Sequence, residues 1–151
     1  MDDTSLEFRR GEFVVSTDRA RIDPAAAMEL LRSTHWAGAM TLAVLQRAMA
    51  NSVCFGVLRH DRLVGFGRVV TDLATYAYWT DVVIAPAHRG QGLGRWLSVC
   101  MLEHPELQGL RRIALLTRDA AGLYAGLGFT TGPGPLIYME RIPDHFPGPL
   151  A

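Results

Sequence analysis

Arg89-Gly90-Gln91-Gly92-Leu93-Gly94 stands between a strand-like run, residues 78–84, and a helix-like run, residues 93–103. Three glycines within five residues at such a junction leave no Cβ to hold a ligand away from the backbone. The helix that follows carries unpaired N–H groups in its first turn and the positive end of its dipole. Together they form an anion cradle, and phosphate is its natural occupant. Arg89 and Arg95 bracket the cradle and can add charge-assisted hydrogen bonds. Two well-known phosphate loops fail on spacing. A P-loop needs a lysine followed by Ser or Thr after its glycines, and none is present here. The dinucleotide fingerprint needs Gly-x-Gly-x-x-Gly in a first βαβ unit, whereas this chain has Gly-x-Gly-x-Gly past its midpoint.

Composition bounds the remaining choices. At 151 residues the chain is one domain with room for a core. An apolar content of 49% with 20% charged residues marks it as globular. Fifteen basic residues balance fifteen acidic ones without a basic stripe, which argues against a nucleic-acid partner. No run of 18 apolar residues is present, and Met1-Asp2-Asp3 is acidic where a secretory leader is basic. A cytoplasmic protein away from membranes is therefore expected. Cys54 and Cys100 read as small buried apolar residues rather than a disulfide or a metal pair. The five histidines are scattered, so no metal is expected.

The hydrophobic periods give a mixed α/β order. Residues 13–17 read as a strand. Asp23-Pro24 reads as a cap and first helical residue, with the helix running to about residue 32 and Ala27, Met28 and Leu31 facing inward. A second helix covers residues 41–50, with Leu42, Leu45 and Met49 on one face, and Asn51 ends it. Strands at 53–58 and 63–70 flank the polar turn Arg59-His60-Asp61-Arg62. Residues 74–84, apolar or aromatic at nearly every position, read as a strand buried on both faces. After the glycine loop, Leu93, Trp96, Leu97, Cys100 and Met101 form a helical stripe that Pro105 ends. Residues 112–117 read as a further strand. Asp119 reads as the cap of a helix containing Ala120, Leu123, Tyr124 and Leu127, with Gly128 as its left-handed stop. Residues 136–142 read as a closing strand. The expected layout is an extension over residues 1–12, one domain over 13–142 and a proline-rich tail over 143–151. His60 and His104 read as solvent-facing, and His88 lies beside the cradle.

Two motifs now stand in order: Arg-x-x-Gly-x-Gly after a strand ending in Ile84-Ala85-Pro86, and Leu123-Tyr124-Ala125-Gly126-Leu127-Gly128-Phe129. They resemble the acetyl-CoA pyrophosphate loop and the Leu-Tyr-x-x-x-Gly-Phe segment of the GNAT superfamily of N-acetyltransferases. The element order β-α-α-β-β-β-α-β-α-β is that of the GNAT fold. The resemblance covers residues 13–142 and implies a transfer of acetyl from acetyl-CoA to a primary amine by direct attack in a ternary complex. It assigns Arg89, Gly90, Gln91, Gly92, Leu93, Gly94 and Arg95 to the pyrophosphate. Val82, Val83 and Ile84 go to the pantetheine arm, on a strand whose freed backbone groups pair with the arm and stabilise an oxyanion. Tyr124 becomes the acid that protonates the leaving thiolate. A phenol of pKa about 10 and a thiol of about 8.5 make that donation feasible near neutrality. The alternative for Tyr124 is a core tyrosine on an amphipathic helix, which the matching loop upstream disfavours.

Thr117 replaces the asparagine that many family members carry seven residues before the tyrosine, and it can still offer a hydroxyl to the cofactor. Where some members place a basic side chain, this strand carries Tyr78 and Thr80, neither a good base, so water held between them can take the proton. Strand alternation puts Asp81 on the opposite face, where it can also be a buried structural acceptor. His35 and Trp36 fall where the family builds its acceptor wall, and Trp36 can line that site or fill the core. A small-molecule amine is the expected acceptor, and dimers are common in the family, so a homodimer is admitted. A non-catalytic acyl-CoA-binding regulatory module is the alternative that the missing base keeps open.

Overall fold

A computed structural model describes residues 5–34, 40–132 and 134–144. Six strands form one sheet in chain order: β1 (Glu7–Arg10), β2 (Phe13–Ser16), β3 (Val53–Arg59), β4 (Arg62–Thr71), β5 (Tyr76–Ile84) and β6 (Arg112–Leu115). Every neighbouring pair is antiparallel except β5–β6, which is parallel and is joined by a helical crossover. The helices are α1 (Pro24–Leu31), α2 (Leu42–Ala50), α3 (Leu93–Glu103) and α4 (Ala121–Ala125).

Local chemistry sets most of these boundaries. Asp23 accepts from the Ala25 N–H, and Pro24 occupies the first turn of α1. Thr41 accepts from the Val44 N–H and starts α2. His60 and Asp61 take φ of 49° and 62°, the doubly left-handed geometry of a two-residue hairpin turn, which fits the right-handed twist of β3 and β4. Two apolar layers cover the sheet. On one face, Leu93, Leu97, Cys100 and Met101 of α3 bury Phe55, Val57, Val69, Ala77 and Trp79. On the other, α1 and α2 bury Ile22, Cys54, Phe66 and Val83. Burying a Leu, Val or Phe side chain contributes about 1.5–3 kcal/mol, so these layers carry the fold.

Four expectations need correction. The stretch before residue 13 contributes β1, whose residues Glu7–Arg10 pair with Ser16–Phe13. The closing strand over residues 136–142 does not form. Gly132 and Gly134 take φ of 73° and 69° and Pro135 has no N–H to give a ladder, so the chain turns aside. Ile137 and Met139 are each left 85% exposed. Asp119 does not cap α4, whose N-cap is Ala120 with no side-chain cap hydrogen bond; the Thr117 hydroxyl accepts from the Ala120 N–H at 3.0 Å in the turn before the helix. His104 is buried rather than solvent-facing: its Nδ1 accepts from the Glu106 N–H at 3.1 Å, and burial lowers its pKa.

Candidate active site

The site begins with an irregularity in β5. Thr80 pairs with Arg68 and Val83 with Phe66, so Asp81 and Val82 together oppose Gly67. That two-against-one count is a β-bulge, and Asp81 takes φ of 57° to make it. A bulge bends its strand and breaks the alternation of side chains. Asp81 therefore does not face away from Thr80. Its carboxylate accepts from Arg68 Nε at 2.8 Å, on the face where Arg68 and Thr80 are register partners. Arg68 Nη1 also donates to Ser52 Oγ at 3.1 Å. The Asp81 side chain is 3% exposed and that of Arg68 14%, so this is a buried ion pair.

The bulge coincides with a separation of strands. Pairing with β6 ends at Trp79–Leu115, while β5 continues to Ile84. From Thr80 onward the edge of β5 that faces β6 is unpaired among the described residues. A cleft of about 360 Å³ opens there, lined by Val82, Val83, Ile84, Arg89, Gly94 and Tyr124 among others. The expected arm-binding strand, loop arginine, loop glycine and acid thus share one cavity.

At one end of the cleft lies the loop. Gly90 and Gly92 take φ of 82° and 81°, conformations that favour glycine. Gly92 is the N-cap of α3 and offers no side chain, and Trp96 donates the first backbone hydrogen bond, to the Gly92 carbonyl at 3.0 Å. The N–H groups of Leu93, Gly94 and Arg95 precede it and stay unpaired within the helix. Arg89 Nε donates to the Ile84 carbonyl at 2.9 Å, which folds this side chain against the strand end. Among the described residues, no carboxylate forms an ion pair with Arg89 or Arg95. The cradle is built from N–H groups and uncompensated positive charge, which fits a pyrophosphate.

At the other end stands Tyr124, on α4. Its ring meets Phe129 at 5.7 Å and Trp79 at 6.4 Å, both edge-on. The Phe129 N–H donates to the Tyr124 carbonyl at 3.0 Å, and Gly128, at φ of 94°, makes the left-handed stop that allows it. Burial raises the Tyr124 pKa, so the phenol keeps its proton at neutral pH. Among the described residues its hydroxyl has no hydrogen-bond partner.

The remaining assignments divide. Tyr78 and Thr80 are half-buried on the Arg68 face of β5. Burial and the nearby Asp81 raise the Tyr78 pKa, so it too stays protonated. Thr117 does not line the cleft, and its hydroxyl accepts from the Ala120 N–H in the turn before α4. His88 packs edge-on against Phe13 at 6.0 Å. His35 and Trp36 lie outside the described residues. Ser33, Thr34, Asp119, Ala120 and Leu123 also line the cleft, and sequence reasoning missed all five as site residues. Ser33 and Thr34 carried no motif; their hydroxyls donate back to the Leu30 and Leu31 carbonyls at the end of α1. The thiols are silent. Burial pushes Cys54 up to about 11 and Cys100 up to about 12, which suppresses the thiolate form.

An open parallel-strand edge, an anion cradle and a half-buried phenol on one cleft define an acyl-CoA-dependent acyltransferase. Comparison with known proteins narrows the class. Residues 50–131, more than half of the chain, match the acetyltransferase (GNAT) domain family. A protein of Gibberella zeae named as an acetyltransferase is 36% identical, over 76% of this chain and 77% of that one. A crystal structure of a GNAT-family acetyltransferase from Xanthomonas campestris is 44% identical, with a TM-score of 0.81 over 90% of this chain and 94% of the other. A Mycobacterium tuberculosis protein solved in complex with CoA shares the fold at 24% identity and a TM-score of 0.66, over 82% of this chain and 75% of that one. The chain belongs to the GNAT family of acetyltransferases, and its acetyl donor is acetyl-CoA.

Proposed function

We propose that this enzyme acetylates the primary amine of a small molecule by direct attack within a ternary complex. The observation that carries the proposal is the convergence of Val82–Ile84, Gly94 and Tyr124 on one cleft at the point where β5 leaves β6. Acetyl-CoA supplies an acetyl thioester already activated toward amines. The N–H groups of residues 90–95 hold its pyrophosphate, and Arg89 and Arg95 add charge. The open edge of Val82–Ile84 takes the arm as an added strand would. Tyr124 keeps a proton on its hydroxyl for a departing thiolate. Asp81 is held by Arg68, and Tyr78 stays protonated, so neither is free to act as base. Tyr78 and Thr80 instead orient a water that carries the ammonium proton away. The two buried, unreactive cysteines favour direct attack over a covalent acyl-enzyme.

Ligand stabilisation tests the donor. At a hundred times its dissociation constant, acetyl-CoA adds about 2.7 kcal/mol of stability. For a chain of this size that raises Tm by roughly 5–11 °C. NAD and ATP give much smaller shifts; equal stabilisation by ATP would remove the donor assignment. Thiol release over a panel of small amines and peptides then tests the acceptor, and turnover confined to peptides would overturn the small-molecule reading.

Gly94 offers a clean probe of the cradle. A Cβ there meets only Ile84 Cγ1, at an ordinary 3.8 Å. Valine is no worse than glycine in a helix, so Gly94→Val folds. We expect acetyl-CoA affinity to fall by roughly tenfold, the scale of one or two lost hydrogen bonds. Unchanged affinity by calorimetry would place the phosphate elsewhere. Gly92→Val also weakens binding, but φ of 81° adds backbone strain to its effect.

A further inference from the structure

We propose that Arg10, on the N-terminal hairpin β1–β2, is a positioning residue that holds the phosphate loop in its binding geometry. The inference rests on the reading of residues 90–95 as the donor's cradle. Arg10 is 82 residues from Gly92 in the chain, yet its Nη1 donates to the Gly92 carbonyl at 3.3 Å. Its Nη2 donates to the Gln91 carbonyl at 3.5 Å. The same guanidinium lies 5.9 Å from the centroid of the Trp96 ring, one turn into α3. Phe13, the register partner of Arg10, meets the ring of His88 on the near side of the loop. One hairpin therefore touches the loop before it, within it and after it.

Peptide planarity gives these contacts a consequence. In a trans peptide the C=O of one residue and the N–H of the next point in opposite directions. Drawing the Gln91 and Gly92 carbonyls toward Arg10 aims the N–H groups of Gly92 and Leu93 away from the hairpin. Gly94 and Arg89 line the cleft and Arg10 does not, so the side away from the hairpin is the ligand side. The planar fork of arginine can serve two adjacent carbonyls at once, which a lysine ammonium does less well. Arg10 also brings a cation, with no carboxylate partner among the described residues, to the positive end of α3.

The test uses the full chain with Arg10→Ala and Arg10→Lys. Calorimetry with CoA and steady-state kinetics read binding. Amide hydrogen exchange across residues 90–95 of the free protein reads loop order without any ligand. For Arg10→Ala we expect CoA Kd and acetyl-CoA KM to rise by roughly tenfold, with kcat and acceptor KM within twofold. Exchange should quicken in the loop and stay unchanged in β3–β5. Arg10→Lys should recover part of the affinity. A purely structural role would lower Tm and leave Kd and KM unchanged in the folded fraction. Loop exchange and CoA affinity both at wild-type values in Arg10→Ala would overturn the proposal. Should Arg10→Ala fail to fold, Arg10→Lys carries the same criteria. A wild-type protein that does not bind CoA would sink the donor reading, while loop exchange would still decide the role of Arg10.

Discussion

Tyr124→Phe lowers kcat by roughly 10²–10⁴ while acetyl-CoA affinity and Tm stay at wild-type values, if the phenol protonates the leaving thiolate. The structure makes this substitution unusually informative. The ring is held edge-on by Trp79 and Phe129, and phenylalanine keeps both contacts. The hydroxyl has no hydrogen-bond partner among the described residues, so removing it leaves no donor or acceptor orphaned. A merely structural tyrosine would leave kcat within about threefold of wild type, within the scatter of ordinary core changes. Steady-state kinetics with one good amine, with thiol release rate-limiting, separates the two. The pH profile adds a check of sign. Burial raises the Tyr124 pKa, so the phenol stays protonated below its usual value of about 10, and its loss cannot explain an activity decline in the neutral range.

What was legible in the sequence follows a physical boundary. Signals carried by a few adjacent residues survived into the structure: the Asp23 cap, the His60-Asp61 turn, the glycine loop, and the Gly128 stop that sets the Tyr124 segment. Features that depend on partners far along the chain were not legible. The run at 74–84 implies an unbroken strand, because the bulge of Asp81 and Val82 is set by pairing with β4 opposite Gly67, which no local signal in β5 shows. Arg10 carries no local signal within the extension over residues 1–12, since its partners lie 81 and 82 residues on. The closing strand failed for the opposite reason. The apolar run Leu136-Ile137-Tyr138-Met139 is a local strand signal, but Gly132, Gly134 and Pro135 turn the chain away before it can pair. The family asparagine implied a cofactor contact for Thr117, and its hydroxyl accepts instead from the Ala120 N–H in the turn before α4.

The bulge itself yields the largest stability effect expected here. Asp81→Asn keeps the shape of the side chain and tolerates a left-handed φ, so the backbone of the bulge is not strained by the change. It removes the charge and leaves Arg68, 14% exposed, without its counter-ion. Breaking one side of a buried pair costs about 3–5 kcal/mol. At 2–4 °C per kcal/mol for a chain of this size, Tm falls by roughly 6–20 °C. Arg68→Met produces a loss of the same order, because Asp81 is then the unpaired charge. The double variant Arg68→Met/Asp81→Asn should lose much less than the sum, since no uncompensated charge stays buried. Chemical denaturation of the four proteins completes the cycle, and strict additivity would mean that the pair contributes little as a pair. Function is coupled to this through geometry. The pair fixes the bulge, the bulge lies where β5 parts from β6, and the parted edge is the floor of the cleft. The folded fraction of each single variant should therefore also bind acetyl-CoA more weakly, and the double variant should keep that binding defect even where its stability returns. Full recovery of affinity in the double variant would mean that backbone pairing alone maintains the bulge and that the ion pair serves stability only.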